Sequence, residues 1–243
     1  MKITLHKKIA AYFGYEFTRI NNNIYQNQTL HTIELINRYN IDLVIDVGAN
    51  MGQFAIDLRK AGYSGQIISF EPLMECYKHL QSIADDKWHI ENYALGDSNA
   101  TETINISHKT VFSSILNTNE FGRSNFSDSI KVVKKETITI KRLDDVICEL
   151  IDGIDKKKIF IKLDTQGYDN HVMLGAKNTL THAHLLQTEV SCKAIYENTP
   201  PFYETLKRLS ISGFNITGIF PLSRDKTSME LLEFDCLLVR AAN

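Results

Sequence analysis

Four carboxylates that could take part in acid–base chemistry stand in, or directly after, short apolar runs of the sequence. They are Asp46, Glu71, Asp164 and Glu189. Such runs predict buried strands, and in open α/β sheets ligands bind beyond the carboxyl ends of the strands. A carboxylate there can accept hydrogen bonds from ligand hydroxyls, or it can remove a hydroxyl proton as a general base. The sequence therefore predicts one pocket in which hydroxyl groups are bound and activated.

The apolar runs belong to a repeating pattern that predicts how these carboxylates are positioned. Apolar residues dominate residues 43–47 and 66–70, and helical stretches follow at residues 53–61 and 74–84. Runs of this length are typical of strands buried on both faces of a parallel sheet. This part of the chain is therefore predicted to be a β-α-β-α unit of an α/β fold.

The second half of the chain combines this pattern with a different one. Residues 101–107 and 136–141 alternate polar and β-branched side chains, which predicts two antiparallel strands that flank a long loop. A long loop over a strand-end site is typical of a lid or an acceptor-binding element. The remaining predicted elements are strands at 158–164 and 185–190, helices at 172–180 and 203–212, and a late hairpin of strands at 215–220 and 234–240.

The first 40 residues show apolar spacing that is typical of two helices joined by a turn. We interpret residues 1–40 as an N-terminal helical cap and residues 41–243 as the main domain. An apolar helical face in this cap would fit either a homodimer interface or a cover over the acceptor site.

The composition excludes several classes of protein. Of the 243 residues, 43% are hydrophobic and 23% are charged, which excludes a disordered or fibrous chain. The 27 basic and 29 acidic residues give a net charge of -2, which lacks the basic excess of a nucleic-acid-binding protein. No apolar stretch approaches the ~20 residues of a membrane span. The four cysteines lie far apart, which favours buried free thiols in a reducing cytoplasm.

The turn after the first predicted strand is the most informative segment. Its glycines, Gly48 and Gly52, have the spacing G-x-x-x-G, with Asn50 between them. A dinucleotide is a poor fit, because its pyrophosphate approaches the backbone at the second glycine of G-x-G-x-x-G. S-adenosylmethionine (SAM) has no phosphate, and we expect the Asp46 carboxylate to lie near its cationic groups. The turn therefore favours SAM as the cofactor.

Two later segments complete the predicted cofactor site. Phe70, Glu71 and Pro72 end the second strand, where a carboxylate accepts hydrogen bonds from both ribose hydroxyls. Ala94 and Asp97 belong to a short run that predicts a third strand, which would deliver a polar group to the adenine. The three segments follow one another in chain order, each at a strand end, and together they predict a nucleoside pocket.

These segments resemble the FkbM family of SAM-dependent methyltransferases over residues 42–240. The resemblance implies a class I methyltransferase fold, which is a Rossmann-like sheet of seven mostly parallel strands with a reversed last strand and helices on both faces. It also implies O-methylation of a hydroxyl on a sugar or a specialised metabolite. The segments that carry the resemblance are residues 46–52, 70–72, 92–97, 143–145, 161–169 and 188–191.

Asp164 directly follows the fourth parallel strand, and we predict that it contacts the cofactor and acts as the general base. The alternative for this side chain is to cap the following helix. Asp164, Asp169 and Glu189 would form an acidic cluster whose oxygens suit Mg²⁺. Gln166 stands where the family motif often has Glu, and it removes a negative charge from this cluster. We therefore take Asp164 and Glu189 as the catalytic acidic pair and leave Mg²⁺ as an open alternative.

The sequence thus predicts a cytoplasmic, SAM-dependent O-methyltransferase that acts on a hydroxyl of a sugar or glycan precursor, as in surface polysaccharide biosynthesis. O-methylation of a non-sugar metabolite is the enzymatic alternative, because acceptor pockets are built from variable loops. A SAM-fold protein that binds without catalysis is the alternative from another class. The predicted partner is a small-molecule or glycan acceptor, with no nucleic acid and no membrane span.

Overall fold

Strands and helices alternate through most of the computed structural model, which describes residues 5–14 and 24–241. The strands are β1 Leu43–Val47, β2 Gln66–Phe70, β3 Trp88–Glu91, β4 Ala94–Leu95, β5 Ala100–Ser107, β6 Val132–Lys141, β7 Ile159–Leu163, β8 Ala183–Ser191, β9 Phe214–Arg224 and β10 Leu231–Arg240. The α-helices are α1 Leu5–Tyr12, α2 Gln28–Tyr39, α3 Gln53–Lys60, α4 Met74–Ile83, α5 Glu120–Phe126, α6 Leu143–Leu150, α7 Asp169–Gly175, α8 Lys177–His182 and α9 Phe202–Ile211.

Seven strands form the central sheet, in the order β3-β2-β1-β7-β8-β10-β9. The first five strands in this order are parallel, and β10 is antiparallel to both of its neighbours. Every residue of β1 and of β7 is buried, as the apolar runs predict for strands covered on both faces. The predicted α/β fold with a seven-stranded, mostly parallel sheet is confirmed, and so is the late hairpin, which places β9 at the sheet edge.

The third strand of the central sheet differs from the prediction. It is β3, whereas Ala94–Leu95 pairs with β6 in a separate three-stranded sheet of order β4-β6-β5. In β3 only Trp88 is fully buried, and its indole N–H donates to Ser69 Oγ at 2.9 Å. A half-exposed edge strand of four residues lacks the continuous apolar run that marked β1, so the pattern pointed to the wrong segment.

The inserted antiparallel pair is confirmed, with Thr101 of β5 opposite Thr139 of β6. The chain between these strands, residues 108–131, contains α5 and two short 3-10 helices. Ile130 and other apolar side chains of this segment pack in a small cluster with Ile195 and Tyr196, which follow β8. The inserted segment is therefore an ordered structure that is attached to the main sheet.

The single helix predicted for residues 172–180 is two helices, α7 and α8. Ala176 interrupts them with a φ of -119°, which is outside the helical region. Gly175 lies against the backbone of Gly96, where an added Cβ would stand only 1.8 Å from the Gly96 carbonyl oxygen. A glycine is required at this contact, and it ends the first helix at the point where the two segments touch.

The two helices predicted near the N-terminus are present as α1 and α2, while residues 15–23 between them lie outside the described residues. Helix α2 buries Leu35 and Ile36 in the same apolar cluster as Val44 of β1 and Phe160 of β7. This helix therefore covers one face of the central sheet. The boundary at residue 40 between a cap and a main domain stays a prediction.

The cysteines are free thiols, and their burial differs along the chain. Cys76 and Cys236 are buried as predicted, whereas Cys148 is exposed and Cys192 is partly exposed, so the prediction of buried thiols is wrong for the last two. Among the helices of the described residues, none combines the length and the apolar character that crossing a membrane requires.

Candidate active site

A cavity of about 480 Å³ lies at the carboxyl ends of the central strands. Its wall runs across the sheet from the end of β2, past the turn after β1 and the residues after β7, to β8 and β10. We name the side formed by Gly48, Asn50, Phe70 and Glu71 the glycine-turn end. The opposite side, formed by Gln187, Glu189, Glu233 and Asp235, is the acid end. Asp164 directly follows β7, the strand that lies between the two ends in the sheet.

The turn at the glycine-turn end depends on a missing side chain. Gly48 has a φ of +78°, and a Cβ built on it would stand 2.1 Å from the backbone oxygen of Asp164. The N–H groups of Gly48 and Ala49 donate to the carbonyl of Phe70 at 3.0 and 3.2 Å, which ties the turn to the end of β2. Only glycine allows β1, β2 and β7 to meet this closely.

Glu71 is the buried carboxylate of the glycine-turn end, with 4% of its surface exposed. Its oxygens accept hydrogen bonds from the N–H of Asn50 at 2.7 Å and the N–H of Leu73 at 2.8 Å. Burial raises the pKa of Glu71 to about 7, although these two N–H donors and Lys162 oppose the rise. The carboxyl group is thus held rigidly while its charged form is poorly solvated.

A buried lysine links the first strand to the residue after β7. Lys162 Nζ lies 3.2 Å from Asp46 Oδ1 and 3.3 Å from Asp164 Oδ2. Burial alone lowers the pKa of Lys162, but the carboxylates of Asp164 and Asp46 more than reverse this, so its pKa is raised. Since the register pairs Asp46 directly with Lys162, parallel pairing of β1 and β7 brings these charges together.

Asp164 stands at the centre of the cavity wall with 41% of its side chain exposed. The side-chain amide of Gln166 donates to Asp164 Oδ1 at 3.0 Å and to Glu189 Oε2 at 3.4 Å. Gln166 itself has a φ of +54°, a conformation that is uncommon for a residue with a side chain. The helix after β7 is capped at Tyr168, so Asp164 does not cap it.

The acid end brings the carboxyl groups of Glu189, Glu233 and Asp235 to one face of the sheet. Asp235 of β10 lies directly opposite Glu189 of β8, and Glu233 lies two residues along β10. Burial raises the pKa of all three, that of Asp235 to about 6, and the neighbouring Glu233 further raises the pKa of Glu189.

The inserted segment is held over the cavity by three polar contacts. Thr110 Oγ1 donates to Asn50 Oδ1 at 3.3 Å, and Ser114 Oγ donates to the carbonyl of Gln166 at 2.7 Å. The Tyr196 hydroxyl lies 3.0 Å from both the Phe112 carbonyl and Gln166 Oε1. These contacts connect the segment to both the glycine-turn end and the centre of the site.

The structure brings most of the predicted site residues into one cavity wall. Glu189, predicted as catalytic, is among them, and so is Asp164, predicted both as base and as cofactor contact. The other predicted residues of the cofactor site that line the cavity are Gly48, Asn50, Phe70, Glu71, Pro72 and Ala94.

Three predicted cofactor residues lie outside the cavity wall. Asp46 is fully buried beside Lys162, and its charge contributes to the raised pKa of Glu71. Gly52 has a φ of +82° at the start of α3, where a Cβ would meet Leu80 at 2.7 Å, so its role there is in packing. The Asp97 carboxylate is 2.8 Å from the His171 ring, which turns it toward α7.

The described residues contain no group of three or more acidic, His or Cys side chains arranged to hold a metal ion. Asp169, which the sequence suggested as a third carboxylate beside Asp164 and Glu189, accepts hydrogen bonds from the N–H and hydroxyl of Thr165 and from Thr188. These bonds turn the Asp169 carboxylate inward, so the acidic cluster that could have held Mg²⁺ is not formed by these three residues.

Sequence reasoning predicted Glu189 of β8 but missed the contribution of Gln187, β10 and α2 to this part of the cavity wall. Gln187, Glu233 and Asp235 line the cavity, as does Gln28 of α2, whose side-chain amide donates to Asp235. Acids two residues apart in an otherwise apolar strand were a visible signal, because Glu233 and Asp235 then project to the same face. The sequence carried no local signal for Gln28.

The family model of the FkbM methyltransferase domain matches residues 46–216, which is more than half of the chain. The chain belongs to the FkbM methyltransferase family. It is therefore a SAM-dependent methyltransferase.

Several solved methyltransferases align with this chain at very low identity. A putative S-adenosylmethionine-dependent methyltransferase from Listeria monocytogenes aligns with a TM-score of 0.49 and 8% identity, over 88% of this chain and 98% of its own. An rRNA methylase from Streptococcus thermophilus aligns with a TM-score of 0.45 and 8% identity, over 89% and 98%. Magnesium protoporphyrin IX methyltransferase from Synechocystis PCC 6803, solved with bound SAM, aligns with a TM-score of 0.43 and 10% identity, over 99% of both chains. No curated protein sequence matches the chain.

The residues of the glycine-turn end of this FkbM-family chain fit SAM. Each oxygen of Glu71 accepts one backbone N–H, and a carboxylate has lone pairs for about two further donors, which matches two ribose hydroxyls. The cavity volume of about 480 Å³ is within the usual range for small-molecule sites.

Proposed function

We propose that this methyltransferase transfers the methyl group of SAM to a hydroxyl of a sugar or glycan precursor in the cytoplasm, in the biosynthesis of a surface polysaccharide or glycoconjugate. The observation that supports this best is the polar wall beyond Asp164, where Gln187 Oε1 and Glu233 Oε1 have no hydrogen-bond partner among the described residues. An apolar acceptor would leave such groups without partners, at a cost of roughly 1–3 kcal/mol each. A ring that carries several hydroxyls would pair with them.

Asp164 is the proposed general base. SAM, when bound, supplies an electrophilic methyl group on its sulfonium. As the acceptor oxygen forms its bond to that methyl carbon, the hydroxyl proton passes to the Asp164 carboxylate. Its two oxygens already contact Lys162 and Gln166, which fixes the orientation of the carboxylate toward the cavity. Alignment of this kind supplies much of the acceleration in displacement reactions, up to roughly 7–11 kcal/mol.

Glu189 has a different proposed role, which is to bind the acceptor. Burial and the neighbouring Glu233 raise the pKa of Glu189 well above its usual range, which favours its protonated form, and a protonated carboxyl group cannot take another proton from a hydroxyl. It can instead donate one hydrogen bond and accept others. The acidic pair predicted from the sequence is thus divided between proton transfer at Asp164 and acceptor binding at Glu189.

The experiment that tests this function measures formation of S-adenosylhomocysteine (SAH) from SAM with two sets of acceptors. One set contains hexoses and nucleotide-linked hexoses, and the other contains phenols and aliphatic alcohols of similar size. We expect turnover with the sugar set and none above background with the other. Binding of SAH is checked first by a thermal melt, since ligand at about 100 times its Kd adds about 2.7 kcal/mol of stability.

Turnover confined to phenols or aliphatic alcohols would refute the sugar acceptor while leaving methyl transfer intact. Binding of SAH without turnover on either set would contradict the proposed sugar substrates. If the melt shows no stabilisation by SAH, the assignment of Glu71 and the glycine turn to the cofactor is wrong.

A further inference from the structure

The acid end contains an arrangement that is unfavourable in a sheet without a ligand. Asp235 and Glu189 are directly opposite each other in the pairing of β10 with β8, and Glu233 is on the same face of β10. Like charges at opposite positions destabilise a sheet. Three charged carboxyl groups in this arrangement repel one another unless a positive charge compensates them.

The described part of the chain does not supply that group. No Lys, Arg or His among the described residues lies within 4.0 Å of the carboxylates of Glu189, Glu233 or Asp235. Lys162 lines the same cavity but contacts Asp46 and Asp164. Within the described residues, these acids are therefore neutralised by protons, as their raised pKa values indicate, unless a bound molecule brings a positive charge.

Two buried oxygen atoms in the same wall also lack donors. Gln187 Oε1 and Glu233 Oε1 have no hydrogen-bond partner among the described residues, although these residues are only 3% and 5% exposed. Both line the cavity, and both are acceptors. The other oxygen of Glu233 accepts from Ser223 Oγ at 2.9 Å, so the carboxylate is fixed with its second oxygen free. A ligand at the acid end must bring hydrogen-bond donors.

We propose that the acceptor carries a protonated amine and that Glu189, Glu233 and Asp235 bind it. The inference rests on the proposed function, in which the acceptor is a sugar, and it identifies that sugar as an amino sugar. An ammonium group brings both a positive charge and three N–H donors, whereas a hydroxyl brings one donor and no charge. A metal ion is disfavoured, because no group of side chains within the described ranges is arranged to hold one.

The amine and the reacting hydroxyl would lie on the same ring. The amide of Gln166 contacts both Asp164 and Glu189, so the proposed base and the acid end are separated by one side chain. A single sugar ring spans that distance. The raised pKa values of the three acids agree with this binding mode, since an ammonium group would favour their charged forms.

The test measures binding by calorimetry to the full chain saturated with SAH. The probes are hexoses with a free amine at position 2, 3, 4 or 6, each compared with its N-acetyl form and with the parent hexose. We expect at least one amino hexose to bind about tenfold to a hundredfold tighter than both counterparts, as for hydrogen bonds to charged groups. Glu233→Gln and Asp235→Asn should each remove about tenfold of that preference.

Glu230→Gln is the matched control, because Glu230 is an exposed acid of the same hairpin, 3.6 Å from Lys193. This variant should keep the full preference, and unchanged affinity for SAH shows that each variant is folded. If no amino hexose binds more tightly than its neutral counterparts, the amine is refuted, and methylation of neutral hexoses would then leave the proposed function standing. A preference for the amine without methyl transfer to any sugar would support the amine site and refute the proposed function.

Discussion

The two ends of the cavity differ in how their polar groups are satisfied. At the glycine-turn end, Glu71 already accepts two backbone N–H groups, and the turn at Gly48 is bonded to β2. At the acid end, Gln187 and Glu233 each keep a buried oxygen that no described residue pairs with. The first end is preorganised by the backbone, whereas the second, as we propose, is completed by its ligand.

This difference follows from how the two ends are built. The glycine-turn end comes from consecutive βα units, so its groups are fixed by short turns and parallel pairing. The acid end combines residues of β8 and β10 and is contacted by Gln28 of α2, and these three elements are far apart in the chain. A cofactor that is always the same suits a rigid backbone site, while an acceptor that varies within a family suits side chains on separate elements.

The largest effect is expected where the two ends meet, at Asp164. Replacing this carboxylate by an amide in Asp164→Asn removes the proton acceptor, and we expect kcat to fall by about 10²–10⁴-fold. Affinity for SAH should change little, because the amide keeps the shape of the side chain. Asp86→Asn, at an exposed position far from the cavity wall, is the control and should leave kcat unchanged.

The measurement for Asp164 is turnover with saturating acceptor, together with calorimetry of SAH binding. A loss of SAH affinity in proportion to the loss of turnover would show that Asp164 belongs to the cofactor end and not to the centre of the site. Retained turnover would move the role of base to another group.

The next largest effect concerns stability at the glycine-turn end. Gly48→Ala forces a Cβ against the Asp164 backbone, whereas Gly62→Ala meets no described atom within 4 Å, although both glycines have positive φ. Both variants lose about 1–2 kcal/mol from the left-handed backbone. Gly48→Ala should lose about 1–3 kcal/mol more from the steric conflict.

Thermal melts of the two glycine variants measure this difference. For a chain of this size, an added loss of about 1–3 kcal/mol lowers Tm by roughly 2–12 °C relative to Gly62→Ala. Equal Tm values for both variants would mean that the turn and the residue after β7 do not approach as closely as the structure shows, and the rigid character of this end would be lost.

The same contrast explains what the sequence could predict. Gly48 and Glu71 were recognised because a strand, a turn and a helix leave a local signature within a few residues. Glu233 and Asp235 were not recognised, since their position beside Glu189 depends on β10 entering the sheet between β8 and β9. That pairing joins segments more than 40 residues apart, as Gln187 with Asp235 shows. Strand β3 was missed for a different reason, because it is short and half-exposed.

A third effect should separate binding from stability at Glu71. In Glu71→Gln an NH2 group, which donates hydrogen bonds, replaces one of the two accepting carboxylate oxygens. The side chain can then no longer accept from all of the two ribose hydroxyls and two N–H groups. We expect SAH affinity to fall about tenfold to a hundredfold. Calorimetry measures this, with Glu75→Gln, an exposed acid in α4, as the control. Unchanged affinity in Glu71→Gln would remove the assignment of the ribose to this residue.

Although Glu71→Gln should weaken SAH binding, we expect it to stabilise the ligand-free protein at high pH. The pKa of Glu71 in the folded protein is raised to about 7, so the folded state binds this proton more tightly than the unfolded state does. The stability that this proton provides is fully present below the unfolded pKa and is lost as the pH rises through 7. At pH 8 the variant avoids a buried charge and should be more stable than the wild type by roughly 2–3 kcal/mol. A thermal melt at pH 8 without SAH that shows a lower Tm for the variant would contradict this.

The smallest effect is on the pH dependence of SAH binding. Ribose hydroxyls donate to the charged form of Glu71, so affinity should rise as the pH increases through about 7, the pKa of Glu71. If only the charged form binds, the gain from pH 6 to pH 8 is about tenfold. The groups that face Glu71 are Asp46, which raises its pKa, and Lys162, which lowers it. Glu71→Gln should give a flat profile, whereas a rise that persists in this variant would assign the titration to the acid end of the cavity.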